Sequence, residues 1–544
     1  MCGALVSPWL SLDGAWQPET TVSEPPYVAN ISQNNALGVN FQGNAVAVWE
    51  SNDTPISTES AIVGSFYTRG VGWGPNMLIS SLETYAPNRY VYTEQTDPDV
   101  DLNSSNYAVA VWSGSYNRDP FFLESIFASR MQPDGTWGAV EVISQLQEEN
   151  FTRSINPSVQ VNEAGTALAV WRESPGDDTW RTVVSFLPFG GTWTAPYFVS
   201  VPEVDSDETD PRSALNDRGD AVVAWKRRQA AGVRSIDVAT YNAATATWDA
   251  PVSLDTTFGD NFTQPVVSID ENGNSIAIWA NDETLEVKSS YRPFGGVWEP
   301  AVIIASNYRT EEPYIIMDRF GNATAVWNGL EGSVYSASRP FGGVWGVPVA
   351  ISQGVNDYFE SFQIQDPLAV DLAGNAMAVW FGNEGILYSA FKPFGQAWQA
   401  PEQVSTSGDN SVANVGLAEC GFAIATWEAG VGENPNDPTA EVRAAVHENL
   451  FPLIAAGSAQ MTQCKLKFAT QSRVISNLTW GSLYPGCVAA FNIYCNGTLI
   501  STITDGSFGF TVSDCDDSCR FTVTAVNFQG FETAPIPFVM NASL

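Results

Sequence analysis

The sequence has little basic charge and almost no histidine. Its 544 residues include 24 Lys and Arg against 60 Asp and Glu, a formal net charge of −36, and His447 is the one histidine. Nucleic acids and anionic bilayers would be repelled by this charge, so the composition argues against both as partners. General-base catalysis by histidine is also disfavoured, because His447 falls near the end of a predicted strand. The acidity alone equally fits a solvated, salt-tolerant surface.

Long apolar runs and cysteine motifs for zinc are missing too. No run of about 20 apolar residues occurs, so no membrane span is predicted. No signal peptide is visible at the N-terminus, so either the protein is cytoplasmic or the chain starts after processing. Five of the seven cysteines lie near the C-terminus without histidine partners, which predicts a small disulfide-stapled domain in an oxidising compartment: Cys464, Cys487, Cys495, Cys515 and Cys519. Their connectivity stays open.

What the sequence does contain is regularly spaced tryptophan. A short alternating run that follows a turn and ends in Trp, as in residues 318–327 after the turn Asp-x-x-Gly-Asn, recurs eight times at spacings of 47 to 63 residues. These runs end on Trp49, Trp112, Trp171, Trp225, Trp279, Trp327, Trp380 and Trp427. A second motif, of the type Phe-Gly-Gly-x-Trp, contains Trp16, Trp73, Trp137, Trp193, Trp248, Trp298, Trp345 and Trp398. Sixteen of the 19 tryptophans are thus predicted to pack one repeated element.

Each repeat divides into four strand-sized runs, most clearly between residues 312 and 352. Four short strands per unit of about 50 residues resemble the blade of a β-propeller, and this resemblance covers roughly residues 4–450. The eighth repeat lacks a last strand, and residues 12–23 match it, so an N-terminal strand is predicted to complete the last blade. The sequence predicts an all-β chain: an eight-bladed propeller over residues 1–452, a linker over 453–460 and a small β-sandwich over 461–544.

The sequence also shows three narrower family resemblances. Tryptophan in every blade is similar to the quinoprotein dehydrogenases, but their docking motif and adjacent cysteine pair are absent, so that family is rejected. Residues 11–16 resemble the Asp box of sialidase-type propellers, a structural turn that implies no chemistry. The C-terminal region resembles a fibronectin type III domain through Trp480, Tyr494 and residues 521–532, where Phe521 replaces the usual tyrosine. That resemblance implies a spacer or adhesion module of an extracellular protein.

An oxygen-bearing side chain recurs where the innermost strands are predicted to begin. When the repeats are aligned on the second-strand tryptophan, the residues at this position are Asn34, Asp97, Asn156, Asp210, Gln264, Glu312 and, one residue out of register, Asp366. A ring of these residues at the channel mouth could bind sugar hydroxyls or a cation. Calcium is the one cofactor this ring suggests, and no other is indicated. The alternative is local, because most of the seven precede proline and Asx-type residues favour such turns.

Aromatic residues lie beside this ring in the inter-blade loops. The candidates for stacking on a sugar or a protein are Tyr85, Tyr90, Phe151, Phe262, Tyr308 and Tyr358. Packing within the loops is the alternative. The loops between second and third strands vary in length and include one basic patch, Lys226-Arg227-Arg228, which suits an interaction surface. The Asp-x-x-Gly-Asn turn has too few carboxylates for a calcium loop and is predicted to be a hairpin turn.

These patterns favour a secreted or cell-surface recognition or adhesion protein that binds a glycan or a protein through its loops. The rival class is a polysaccharide-acting enzyme, of glycosidase or lyase type, with Asp97, Asp210 and Glu312 as acid and base. Enzymatic activity is disfavoured and no catalytic residue is assigned. An intracellular scaffold is a third alternative, against which disulfides would count. The fold does not decide among the three, and the oligomeric state stays open.

Overall fold

The chain is built from β-strands. The computed structural model describes residues 15–25, 35–51, 60–80, 91–118, 121–144, 153–174, 179–200, 207–229, 232–258, 262–306, 313–329, 332–352, 364–408, 410–430, 440–448, 458–467, 472–482, 487–513, 519–526, 532–533 and 535–540. They form a large unit, of Pro18–Ala418 and Ala423–Val446, and a small unit that includes His447–Leu544. None of the helices in these ranges is long and apolar enough to cross a membrane.

The large unit contains eight successive groups of strands, called repeats 1 to 8, of which the second and third share one eight-stranded sheet. An N-terminal strand, β1 (Thr20–Thr21), precedes them. Repeat 1 contains β2 (Asn35–Val39), β3 (Ala45–Ser51), β4 (Ala61–Thr68), β5 (Gly72–Trp73) and β6 (Met77–Leu78). Repeat 2 contains β7 (Val91–Leu102), β8 (Ala108–Arg118), β9 (Phe121–Met131) and β10 (Glu141–Val142). Repeat 3 contains β11 (Arg153–Val161), β12 (Ala167–Ser174), β13 (Arg181–Leu187) and β14 (Tyr197–Phe198). Repeat 4 contains β15 (Asp207–Leu215), β16 (Ala221–Arg228), β17 (Val233–Asn242), β18 (Thr247–Trp248) and β19 (Val252–Phe258).

The second half of the unit follows the same plan. Repeat 5 contains β20 (Val266–Ile269), β21 (Ser275–Asn281), β22 (Glu286–Arg292) and β23 (Val302–Ser306). Repeat 6 contains β24 (Tyr314–Met317), β25 (Ala323–Asn328), β26 (Val334–Arg339) and β27 (Val349–Ala350). Repeat 7 contains β28 (Ile364–Asp366), β29 (Leu368–Val370), β30 (Ala376–Phe381), β31 (Leu387–Lys392) and β32 (Glu402–Gln403), with a 3-10 turn at Asn383–Gly385. Repeat 8 contains β33 (Asn410–Ala418), β34 (Phe422–Ala429) and β35 (Glu441–His447), with a 3-10 turn at Glu419–Gly421.

The tryptophan that ends each second strand is the centre of the packing. All eight are at most 1% exposed, whereas those of the second motif are partly exposed. Because side chains alternate along a strand, each second strand faces both neighbouring repeats. Trp112 of repeat 2 packs with Val46, Val48 and Ile62 of repeat 1, and the same arrangement recurs through repeat 6. The predicted packing role of these tryptophans is confirmed.

The hairpin turns between first and second strands also connect neighbouring repeats. In the sixth repeat, the Asp318 carboxylate accepts hydrogen bonds from the backbone N–H groups of Phe320 and Asn322, both at 2.9 Å, which confirms the predicted hairpin turn. Where the turn begins with Asn, the side-chain amide donates to the turn of the next repeat. Asn162 Nδ2 donates to the Asn216 carbonyl at 3.0 Å, and the other such bonds start from Asn40, Asn103 and Asn216.

The N-terminal strand pairs with the last strand of repeat 8, as predicted. Thr20 and Thr21 of β1 lie opposite Ala444 and Arg443 of β35 in antiparallel register. The Glu19 carboxylate accepts from Arg443 Nη1 at 2.6 Å. The edge of β35 is thereby covered by a segment more than 400 residues away in sequence.

The small unit contains two four-stranded sheets. Its strands are β36 (Gln460–Lys467), β37 (Ser472–Thr479), β38 (Ala490–Cys495), β39 (Thr498–Ile503), β40 (Gly509–Ser513), β41 (Phe521–Val526), β42 (Ile536–Pro537) and β43 (Val539–Met540). The sheet orders are β40-β37-β36-β43 and β39-β38-β41-β42. Trp480 is 5% exposed and lies 5.4 Å from the Phe491 ring. A disulfide joins Cys495 and Cys519, so at least one of the predicted staples is present.

Candidate functional site

The first strands of all eight repeats line one cavity of about 440 Å³. Small and apolar side chains form much of its wall. The polar side chains that line it include Asp99, Asp101, Ser158, Gln160, Arg212, Ser213, Ser268 and Asp366. Near the hairpin turns, three further carboxylates line it: Glu163, Asp217 and Glu271. The cavity is therefore rich in hydrogen-bonding groups and contains one arginine.

Asp99 and Asp101 lie on β7 and are tied to the next repeat. The Asp99 carboxylate accepts from the backbone N–H of Val100 at 2.9 Å and of Val159 at 2.8 Å. Asp101 repeats this arrangement two residues later, accepting from Leu102 at 2.8 Å and Val161 at 2.6 Å. These bonds join β7 to β11 and hold both carboxyl groups at the cavity wall.

Protein surrounds these carboxyl groups, although the cavity leaves part of their surface open. The pKa of Asp99 is raised to about 7: burial is the largest cause, the nearby Asp366 adds to it, and backbone hydrogen bonds and Arg212 oppose it. Burial likewise raises the pKa of Asp101 to about 7. The pKa of Asp366 is raised by burial and lowered by Arg212. At neutral pH, Asp99 can therefore donate as well as accept a hydrogen bond, beside a permanently charged guanidinium.

The structure separates the described residues of the predicted ring. Asp366 lines the cavity, whereas Asp97, Asn156, Asp210 and Gln264 are not among its lining residues. Asn34 and Glu312 lie outside the described residues. Asn156 accepts a hydrogen bond from Arg172 Nε at 3.1 Å, and Asp210 lies 3.5 Å from Lys226 Nζ. These two side chains therefore interact with the second strand of their own repeat.

A shared backbone conformation explains the recurring residue type. Asp97, Asn156 and Asp210 have φ angles of 53°, 53° and 55°, and each lies in a β-bulge. Asp and Asn tolerate this left-handed conformation better than other non-glycine residues, so the local alternative accounts for them. Val412, at the equivalent position of repeat 8, has a φ of 47°. The bulge moves the cavity-facing position two residues onward, to Asp99, Ser158 and Arg212.

The predicted aromatic set is only partly covered by the structure. Phe262 is 4% exposed and packs with Trp279 and Val267, which matches the alternative of packing within the loops. The other candidates, Tyr85, Tyr90, Phe151, Tyr308 and Tyr358, lie outside the described residues. As for the calcium suggestion, the described part of the chain contains no group of three or more His, Cys, Asp or Glu side chains that could hold a metal.

Sequence reasoning missed the residues that line the cavity. The cavity-lining residues Asp99, Asp101 and Arg212 are replaced by other residue types at the equivalent positions of neighbouring repeats. No repeated sequence pattern therefore marks these positions. The proline after Asp97 and Asp210 was the available signal, because a proline at the start of a strand often accompanies a bulge. Asp366 is the exception, because the alignment on the second-strand tryptophan already included it, one residue out of register.

No protein-family model matches the sequence, and no curated protein matches it. Among solved structures, the BP39L lectin from Burkholderia pseudomallei is similar with a TM-score of 0.43 and 12% identity, over 69% of this chain and 100% of that one. A Hadza microbial sialidase, Hz136, gives 0.36 and 12%, over 57% of this chain and 66% of that one. The NanB sialidase from Streptococcus pneumoniae gives 0.36 and 9%, over 79% and 71%. Likenesses this distant assign neither a fold nor a function to this chain.

Proposed function

We propose that this chain is a secreted or cell-surface recognition protein that binds a glycan in the cavity lined by its first strands. The observation that carries the proposal is the polar lining of that cavity. Asp99, Arg212 and Ser158 lie at equivalent positions of three successive repeats and offer acceptors and donors to hydroxyl groups. A volume of about 440 Å³ falls within the usual range of ligand pockets and suits a few sugar rings better than a folded partner.

The proposal also includes the fold of the large unit and the role of the small unit. The eight repeats form an eight-bladed β-propeller that β1 closes, which supplies a rigid ring with its binding groups at the centre. The small unit is a fibronectin type III-like module that acts as a spacer. Its disulfide supports an oxidising, extracellular location.

A glycan-array screen of the purified protein, followed by calorimetric titration of the best binder, tests the proposal. Asp99→Asn and Arg212→Gln are each expected to weaken binding at least tenfold, because the first replaces a carboxyl oxygen by an amide NH2 group and the second removes the positive charge from the cavity wall. Asp97→Asn is the matched control: it removes the same charge two residues away, outside the lining, and should bind within twofold of wild type. Failure to bind any glycan, or equal losses in Asp97→Asn and Asp99→Asn, would refute cavity binding.

A hydrolytic enzyme is the second candidate, favoured by one specific observation. Asp366 raises the pKa of Asp99, so the two carboxyl groups interact within the cavity, and one of them is close to half-protonated near pH 7. A general acid beside a second carboxylate is what glycosidases use. Every glycan that binds should therefore be assayed for reducing-end products. Glycan cleavage that is lost in Asp99→Asn while glycan binding remains would show that the protein is a hydrolytic enzyme.

A further inference from the structure

Two arginines and a tryptophan form a cluster at the loop end of repeats 2 and 3. Arg153 begins β11, Arg172 lies near the end of β12, and Trp180 directly precedes β13. The Cζ atom of Arg172 lies 4.7 Å from the Trp180 ring centroid and that of Arg153 lies 5.3 Å from it. Both guanidinium groups are thus within cation–π range of the same indole.

Each guanidinium is held by its Nε atom. Arg172 Nε donates to the Asn156 side-chain oxygen at 3.1 Å, and Arg153 Nε donates to Glu124 at 2.7 Å. Among the described residues, no acceptor pairs with the terminal Nη groups of either arginine. These terminal Nη groups are donors that can bind two oxygen atoms of one oxyanion in bidentate fashion. The cluster is also open to solvent, because the Arg153 side chain is 47% exposed.

The charge of the cluster is only partly balanced. At most about 10 Å separates the two Cζ atoms, so the guanidinium groups repel each other. Glu124 neutralises Arg153, but the partner of Arg172 is a neutral amide. Arg172 therefore keeps a positive charge that no carboxylate neutralises in the described structure.

We infer that this Arg153–Trp180–Arg172 cluster binds the single anionic group of an acidic saccharide, a uronate carboxylate or a sulfate ester. The inference rests on the proposed glycan-binding function, which it narrows to acidic glycans. Asn156, which holds Arg172, is two residues from Ser158 of the cavity wall, so one ligand could reach both. Because the whole protein is strongly negative, a ligand with one anionic group is expected to bind better than a polyanion.

Calorimetric titration with three oligosaccharides of one backbone and length tests the inference: neutral, with a single uronate, and with a single sulfate ester. Glucuronate and inorganic sulfate are titrated alone as probes of the cluster. We expect the wild type to bind at least one acidic oligosaccharide tenfold or more tightly than the neutral one. If one acidic oligosaccharide binds more tightly than the other, its anionic group, uronate or sulfate ester, is the one that the cluster prefers.

Substitutions then assign the effect to the cluster. Arg172→Gln should remove the preference for the acidic ligand, and Arg172→Lys should restore only part of it, because lysine keeps the charge but loses the fork. Arg228→Gln is the control, since it removes one exposed positive charge from the loop end of the adjacent repeat and should leave the preference within twofold.

The outcomes separate this inference from the function it rests on. Equal affinity for neutral and acidic oligosaccharides would contradict the inferred anion site at the cluster, but it would not contradict glycan binding in the cavity. An equal loss in Arg228→Gln would also overturn it, by showing a general charge effect. If glucuronate or sulfate bound the wild type but not Arg172→Gln, and no oligosaccharide bound, the anion site would stand and the glycan function would fail.

Discussion

Buried carboxyl groups are prominent in the large unit. Glu428 is 1% exposed, and burial together with the nearby Glu50 raises its pKa to about 8, against a hydrogen bond from Asn35. Burial also raises the pKa of Glu208 to about 7, although the Thr182 N–H donates to its carboxylate at 2.7 Å. The neutral acid is therefore favoured in the folded protein at positions where the unfolded chain would be ionised.

This difference predicts that the protein loses stability as the pH rises. Between the unfolded pKa of Glu428, 4.5, and its folded pKa of about 8, the folded state keeps a proton that the unfolded state has released. Each pH unit in that window should cost about 1.4 kcal/mol per such group. Glu428→Gln should reduce the fall in the free energy of unfolding between pH 5 and pH 8, measured by denaturant titration, and be most stabilising at pH 8. The exposed Glu299→Gln should leave the wild-type slope, and an unchanged slope in Glu428→Gln would contradict the prediction.

At the scale of the strand, some features are readable from the sequence and others are not. The eight buried tryptophans, the hairpin turns and the pairing of β1 follow from periodicity and local turn chemistry, which one chain segment displays on its own. The cavity-facing register does not, because the bulge at Asp97 moves the lining position to Asp99. The approach of Arg172 to Trp180 was also not predictable, since it depends on the pairing of β12 with β13.

The first strands of repeats 8 and 1 approach each other closely, and this contact gives a prediction about strand packing. A Cβ atom added to Gly416 of β33 would lie 2.1 Å from Val39 Cγ2 of β2, a distance no real contact allows. Gly416→Ala should therefore lower the free energy of unfolding by about 1–3 kcal/mol, as overpacking does. Val39→Ala removes the methyl groups in the way, so the double variant should recover part of the loss. Chemical denaturation of the four proteins measures the coupling, and strictly additive effects would show that the two strands do not touch.

At the scale of the whole molecule, several acidic side chains form contacts between neighbouring repeats. The Glu163 carboxylate accepts from Ser104 Oγ at 2.9 Å, Asp217 accepts from the Glu163 N–H at 2.8 Å, and Glu271 accepts from the Asp217 N–H at 3.3 Å. Asp99 and Asp101 make the same kind of bond from β7 to β11. Acidic side chains thus supply acceptors from one repeat to the next, and the net charge of −36 is partly a consequence of how the repeats are joined.

The N-terminal strand is one of the contacts between the beginning and the end of the repeat array, so its removal should affect the entire unit. Deleting residues 1–23 removes the hydrogen bond from the Val22 N–H to Val442 at 2.7 Å and the Glu19 contacts to Arg443 and Thr406. At about 1 kcal/mol per hydrogen bond, the thermal midpoint should fall by several degrees. The freed edge of β35 should also promote concentration-dependent self-association, visible by light scattering on a sizing column.

Deleting residues 1–14 keeps every one of these contacts and serves as the control, and a synthetic peptide of residues 15–25 should restore the midpoint of the longer deletion. A monomeric 1–23 deletion with an unchanged midpoint would show that β1 is not what secures repeat 8.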